Sequence, residues 1–348
     1  MSMSDAAIPK TTLLSQSKSI DAEKWLCRLL IVLVCVWLAI VVVFPIFQLL
    51  SKSLKDASGN FVGLANFMYY FKTPALSASL KNSFFVSVMT MLISVTLGFL
   101  YAYALTRTNI PFKIFFKGLA MMPLFAPTLL NGIALVYLFG RQGLITRGFF
   151  GTIPGWNIGL YGPAGIIISE VIYTFPQAML ILFVALQMTD ARLYEASASL
   201  GASGARTFFT VTLPGMKYGL ISAIFVCFIL AFTDFGAPKV VGGDYNILAT
   251  DIYKQVIGQQ NFVMGAVVSV ILLLPAVIAF AVDRAMQRRQ VALLSARSVP
   301  YEPRSNRLLD RIALGYCVLV AVFLVGLLAV CQYAALVKHI VENEMLNG

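Results

Sequence analysis

Residues 164–233 read AGIIISEVIYTFPQAMLILFVALQMTDARLYEASASLGASGARTFFTVTLPGMKYGLISAIFVCFILAFT. Two apolar runs, 164–186 and 215–233, flank a polar stretch at 187–218. Each run approaches the roughly 20 apolar residues that a helix needs to cross about 30 Å of hydrocarbon. The second run is the weaker, since its clean core is 218–233 and Lys217 must extend its ammonium to the headgroups. Neither run alternates apolar with polar residues, so helices are expected rather than barrel strands.

Working outward, five more uncharged runs follow the same pattern: 29–50, 83–105, 118–139, 263–282 and 312–334. Composition agrees. Of 348 residues 59% are hydrophobic and 12% charged, against about 45–50% and 25% in soluble domains. The fold class expected is an all-α, polytopic membrane protein, a six-span core at 29–282 with one additional C-terminal span. The first 28 residues are polar and mixed, which argues against a cleaved signal peptide. Pro45, Pro123, Pro127, Pro176 and Pro275 fall inside the runs, where neighbours or water can satisfy the freed carbonyls.

Basic residues set the orientation. With residues 1–28 cytoplasmic, segments 1–28, 106–117, 187–218 and 283–311 hold 17 of the 26 Lys and Arg, and the opposite segments hold 9. That bias places the N-terminus inside and the tail, 335–348, outside if the seventh run inserts. The net charge of +11 therefore reads as membrane-facing basic loops in contact with lipid, and nucleic acid is not expected as a partner. The stretch 283–311 reads as a solvated basic linker, with a lipid-facing or partner-binding patch as alternatives. Five cysteines without C-x-x-C and a single His exclude a zinc site or a disulfide framework and suggest buried apolar thiols. No cofactor or metal is expected.

The polar stretch 187–218 is long for a compact membrane protein. Asp190 is placed to cap a helix from Ala191 to Leu200, Gly201 breaks it, and Ser203 is placed to cap a second helix through Phe209. Small residues between Tyr194 and Leu200 allow a close approach to another surface, and Gly201 can take a positive φ. Glu195, near the helix start, can meet amide groups or a basic partner.

Glu195-Ala196-Ser197, three residues, Gly201, nine residues, Val211, one residue and Leu213-Pro214 keep the spacing of the E-A-A loop of ABC-importer permeases. Ser stands for the third position and Val for an Ile. The resemblance implies that the helix before Gly201 docks into a groove on a separate cytoplasmic ABC ATPase, two copies of which close on ATP and move the docked helices as levers. It also implies a solute-binding protein outside and a bacterial inner-membrane location. Segment 140–165 resembles the outer stretch between core spans of these permeases. Segment 233–269, TDFGAPKVVGGDYNILATDIYKQVIGQQNFVMGAVVS, resembles the permease of 2-aminoethylphosphonate importers, a branch near the iron(III)-type permeases. That branch fuses two six-span halves, so the seventh run resembles the start of a second half. The expectation is a truncated double permease, or a half that pairs with a separate second half or with a copy of itself.

Several residues keep two readings. Glu170, the one carboxylate well inside a run, either faces a pathway or bonds a neighbouring helix near the outer interface. Asn131 and Gln177 likewise line a pathway or join helices. Asp234, Asp244, Asp251, Lys239 and Lys254 form an outer loop that touches a binding protein or only solvent. The D-F-G triplet at Asp234 lacks the other kinase elements. No G-x-x-x-x-G-K-[ST] loop occurs, so ATP hydrolysis is expected in a partner rather than here. A secondary transporter and an inactive or scaffold subunit are the alternatives.

Overall fold

The computed structural model describes residues 10–148, 154–292, 299, 301–303 and 306–347. Parts of the glycine-rich stretch 140–165 and of the linker 283–311 lie outside those residues. Among the described residues no strand forms, and a single isolated bridge pairs Lys55 with Phe61. The chain divides into two compact units, up to Asn66 and from Phe67 on.

In the first unit, α1 (Lys10–Leu38) passes through a π-turn at Ala39–Val43 into α2 (Phe44–Ser53). The polar N-terminal segment is thus not separate from the first span. From Lys10, the first described residue, the helix runs unbroken into the apolar residues, and Pro45 falls just after the π-turn. The Asn66 amide donates to Ser53 O and Lys55 O, each at 2.9 Å. Cys27 and Cys35 are exposed, which corrects the expectation of buried thiols at those two positions.

The boundary falls within α3 (Ala65–Lys72), and the second unit holds the rest of it with α4 (Pro74–Arg107), α5 (Lys113–Ala120), α6 (Thr128–Phe139), α7 (Pro163–Gln187), α8 (Ala191–Ser199), α9 (Gly204–Thr207), α10 (Leu213–Gly215), α11 (Lys217–Thr233), α12 (Gly236–Val241), α13 (Leu248–Tyr253), α14 (Phe262–Ala292) and α15 (Arg307–Asn347). Among the described residues, five helical segments are long and apolar enough to cross a membrane, or up to seven if each of two bent pairs counts as one span.

The third expected span, 118–139, is one of those pairs, and it is not a single helix. The segments Lys113–Phe125 and Thr128–Phe139 meet at 100°. Pro127 removes an amide donor and forces Ala126 into extended backbone (φ −97°, ψ 132°). At 1.5 Å per residue α6 alone is only about 18 Å long. The second pair bends by 69° between Gly204–Gly215 and Lys217–Thr233, so the fifth span starts at Lys217.

Lipid is as apolar as leucine, so helix association in a membrane depends on close packing and on polar contacts. The structure follows that rule. Along α4, Ser79, Ser83, Ser87, Thr90, Ser94, Gly98 and Ala102 are all buried at three- to four-residue intervals. A Cβ at Gly98 would lie 2.8 Å from Met179 N and 2.9 Å from Ala178 Cβ, so α4 and α7 approach backbone to backbone. Ser94 Oγ and Thr174 Oγ1 join the two helices at 2.7 Å. Cys227 Sγ on α11 reaches Thr174 O at 3.7 Å, and Ser222 donates to Asp283 of α14.

The helix α15, which carries the seventh apolar run, packs on this core. Tyr316 Oη donates to Leu97 O at 2.9 Å, and Cys331 Sγ meets Leu130 O at 3.7 Å. Cys317, Leu324 and Leu327 of α15 are buried in the same cluster as Tyr101 and Phe175. The helix also continues through Asn347, where a polar tail was expected from residue 335.

Candidate functional site

The stretch between α7 and α11 folds as two short helices and a π-turn. Asp190 caps α8, its carboxylate accepting from Arg192 N at 3.1 Å, and Ser203 caps α9, its hydroxyl accepting from Arg206 N at 3.3 Å. α8 ends at Gly201, whose φ of +67° lies in the left-handed region. A Cβ there would meet nothing within 4 Å. Val211 sits in the π-turn Phe208–Thr212, and Pro214 lies just beyond it in α10.

α8 has two faces. Ala191 and Ser197 are buried, with Ser197 Oγ joined to Thr207 Oγ1 at 2.7 Å, so one face is fastened to the returning chain. On the other, Leu193, Ala196 and Leu200 follow at intervals of three and four residues, all exposed, Leu200 by 85%. None of the described residues covers that apolar stripe. Glu195 is also exposed, but it lies in the middle of α8 rather than in its first turn, which corrects the expected contact with helix-end amides.

Behind this loop sits a buried arginine that the sequence reading passed over. Arg107, the last residue of α4, is only 6% exposed. Its Nη2 donates to Leu186 O at 2.8 Å, to Thr189 Oγ1, and to Tyr194 Oη at 3.2 Å. The guanidinium carbon lies 4.9 Å from the Tyr194 ring centre and 4.3 Å from that of Tyr301. The two rings are themselves 4.6 Å apart. Tyr194 Oη goes on to donate to Thr212 Oγ1 at 3.0 Å.

One cation therefore ties together α4, the end of α7, α8, the π-turn and the segment at 299–303. Ala191 N donates to Val299 O at 3.0 Å, and Asn109 Nδ2 to Pro303 O at 3.1 Å, which fasten that segment further. Here the basic stretch 283–311 departs from a purely solvated linker. Between the segment and α8 lies a cavity of about 490 Å³ whose walls include Tyr103, Glu195, Ala198, Phe208 and Tyr301.

The expected pathway residues lie elsewhere. Glu170 and Asn131 are fully buried, in α7 and α6, and neither the Glu170 carboxylate nor the Asn131 amide has a hydrogen-bond partner. Glu170 lies beside Asp234. The Asp234 carboxylate is engaged, accepting from Thr128 Oγ1 at 2.8 Å and from Ala237 N at 3.0 Å. Gln177 is half-buried with its Oε1 unpartnered. Lys239 stacks on Tyr253 at 4.4 Å and Lys254 donates to Asn246, while Asp244 is exposed. Among the described residues no group of three or more potential metal ligands occurs.

Residues 94–291, more than half of the chain, match the family described as the binding-protein-dependent transport system inner membrane component. The chain belongs to this family. As a transport-system inner membrane component it is similar to the ferric transport system permease protein FbpB of Actinobacillus pleuropneumoniae, 31% identical over 52% of this chain and 26% of that protein. It is also similar to a spermidine/putrescine transport system permease protein PotC homolog of Mycoplasma genitalium, 30% identical over 53% of this chain and 59% of that one. The chain thus spans about a quarter to three fifths of these relatives. Among solved structures, the bacterial alginate ABC transporter in complex with an alginate pentasaccharide-bound periplasmic protein contains a chain similar in fold. It has a TM-score of 0.59 and 13% identity, and the match covers 81% of this chain and 99% of that one.

Within the family stretch the loop 187–218 was legible from spacing and caps, whereas Arg107 was not. Reading for long uncharged runs ends a span at its first charge and leaves that charge to water. The available signal was aromatic. Tyr194 and Tyr301 both lie in otherwise polar stretches, where two large rings need a partner to cover them.

Proposed function

We propose that this chain is the permease subunit of an ABC importer, moving a small solute inward by alternating access driven by a separate ATPase. The observation that carries the reading is the surface of α8. An apolar stripe of Leu193, Ala196 and Leu200 is left uncovered on a helix whose other face is fastened to the transmembrane core through Tyr194 and Arg107. Such a helix suits a groove on a partner, and its fastening lets force on it reach α4 and α7. Glu195, Ala196, Ser197, Gly201, Val211, Leu213 and Pro214 form the coupling element in this reading. The partners are a dimeric cytoplasmic ATPase, a binding protein on the opposite side, and a second permease half or a second copy of this chain. The N-terminus is cytoplasmic, and α15 crosses the membrane to place the C-terminal end outside.

The solute of this reading is 2-aminoethylphosphonate, supported by the likeness of residues 233–269 to permeases of that branch. Glu170, Asn131 and Gln177 are the polar points of the pathway, supported by buried polar atoms left without partners, each of which costs free energy unless a ligand or water engages it. The test is reconstitution in vesicles with the ATPase and the binding protein. Substrate-stimulated ATP hydrolysis and uptake of labelled 2-aminoethylphosphonate are expected. Uptake driven by a proton gradient without the ATPase would overturn the importer reading, and ATP-driven uptake of a different solute alone would overturn the substrate.

A further inference from the structure

A second cavity, of about 560 Å³, opens beside the coupling loop, and Arg107, Lys113, Lys117, Leu105, Phe183 and Tyr301 are among its walls. Three of these side chains are cationic and no carboxylate lines the space. Lys113 and Lys117 are one turn apart, so both project from the same face of α5. Lys117 Nζ lies 4.2 Å from the Phe183 ring centre. Arg107 Nε is buried and has no hydrogen-bond partner. Lys113 feels the charge of one carboxylate, Asp310. That carboxylate also accepts from Asn109 N at 2.9 Å and is not among the cavity walls.

Three cations against one nearby carboxylate leave the partly apolar wall with a net positive charge, which an anion in the cavity would neutralise. The apolar surface beside the lysines shows which anion fits. Ile114 is itself in the cavity wall, and it and its neighbours Phe112 and Phe115 are exposed by 90%, 77% and 61%, so the wall borders an apolar surface. A phosphate group among the three cations would leave attached hydrocarbon chains on that apolar surface. A free anion would leave the surface uncovered.

We infer that this cavity binds the phosphate of an anionic phospholipid headgroup, held by Lys113, Lys117 and Arg107, with the acyl chains lying along α5. Basic pockets between membrane helices provide the charge such headgroups need. The site adjoins the Tyr301 segment and so shares Arg107 with the coupling loop. Its occupancy does not depend on ATPase coupling, and its test uses neither ATP nor the ATPase.

The experiment titrates the full chain, purified in a neutral detergent, with dioctanoyl phosphatidylglycerol, dioctanoyl phosphatidylcholine or sodium phosphate at matched ionic strength. The readouts are the thermal midpoint and lipid adducts by native mass spectrometry. Phosphatidylglycerol should bind and raise the midpoint, and phosphatidylcholine should not. Lys113→Gln with Lys117→Gln should weaken binding about thirtyfold, at about 1 kcal/mol for each lysine. Lys113→Arg with Lys117→Arg should retain binding, which separates loss of the site from misfolding. Equal effects of the two lipids, or full binding by the glutamine variant, would overturn the site. Saturation by sodium phosphate with no further gain from phosphatidylglycerol would overturn the lipid assignment.

Discussion

Substitution of Gly201 separates a fold requirement from a docking requirement. Its φ of +67° is left-handed, and a residue with a Cβ pays about 1–2 kcal/mol to stay there. A Cβ at this position meets nothing within 4 Å, so alanine and tryptophan should cost the isolated chain nearly the same. Asparagine, which tolerates the left-handed region, should cost less. Gly201→Asn, Gly201→Ala and Gly201→Trp are therefore expected to insert and fold, with similar thermal midpoints for the last two. Their behaviour should diverge once the ATPase is present. The glycine lies next to Leu200 at the end of the apolar stripe, so an indole there stands in the way of any surface that covers α8. In nanodiscs with the ATPase and binding protein, Gly201→Asn should keep substrate-stimulated ATP hydrolysis. Gly201→Ala should lose no more than the five- to thirtyfold that 1–2 kcal/mol permits, and Gly201→Trp should lose stimulation entirely. Normal stimulation of the tryptophan variant would refute the reasoning. A tryptophan variant that fails to fold would refute it too, because that would place a neighbour where the structure has open space.

Three further outcomes follow from other contacts. Tyr301→Ala removes one ring from the Arg107 stack, a desolvated cation–π contact worth about 2 kcal/mol, so amides of α8 should exchange with deuterium about thirtyfold faster; unchanged exchange would mean that the segment at 299–303 does not hold the loop. Gly98→Ala should lower the thermal midpoint far more than Gly132→Ala, because the first Cβ meets backbone at 2.8 Å and the second meets the Val240 side chain at 3.1 Å; equal shifts would refute the close approach of α4 and α7. Asp251, in α13 outside the spans, is 5% exposed, and burial raises its pKa from the ordinary aspartate value against smaller opposing effects from Ser79 and Lys254. A raised acid pKa means that the folded state binds the proton more tightly than the unfolded state. This group therefore destabilises the fold at neutral pH, and the penalty is relieved as pH falls through the raised pKa. Asp251→Asn should raise the midpoint at pH 7 and flatten its rise between neutral and mildly acidic pH; a lowered midpoint at pH 7 would reverse the sign.

The parts of this fold that were legible in the sequence are those with a local physical cause. Long uncharged runs mark spans because hydrocarbon excludes unpaired polar groups. Asp190, Ser203 and Gly201 mark helix ends because each satisfies or releases backbone groups within a few residues of itself. Pro123 and Pro127 were visible inside the third run, but the 100° turn they permit was not, because a proline specifies which bond is lost and not where the freed helix will pack. Arg107 was illegible for a different reason. Its partners Leu186, Thr189 and Tyr194 lie 79 to 87 residues away, and only the assembled bundle brings them to it.

The seventh span shows what kind of signal a membrane helix does carry. Its hydropathy is high all round, so no apolar face can be picked out. In the structure Ala313, Cys317, Ala321, Leu324, Leu327 and Cys331 are buried at intervals of three and four, while Ile312, Leu319 and Val322 are exposed. The residues that enter the core begin with three small ones four apart and go on to Leu324 and Leu327, while Ile312, Leu319 and Val322 on the other sides face outward. The serine, glycine and alanine row of α4 obeys the same rule. Smallness alone does not suffice, since Gly315 and Gly326 of α15 have nothing within 4 Å of a Cβ. What distinguishes the packed row is its period, which keeps small side chains on one face long enough for another backbone to follow it. Size at helical spacing, rather than hydropathy, thus marks which side of a span meets protein, because lipid and leucine compete equally for every other side.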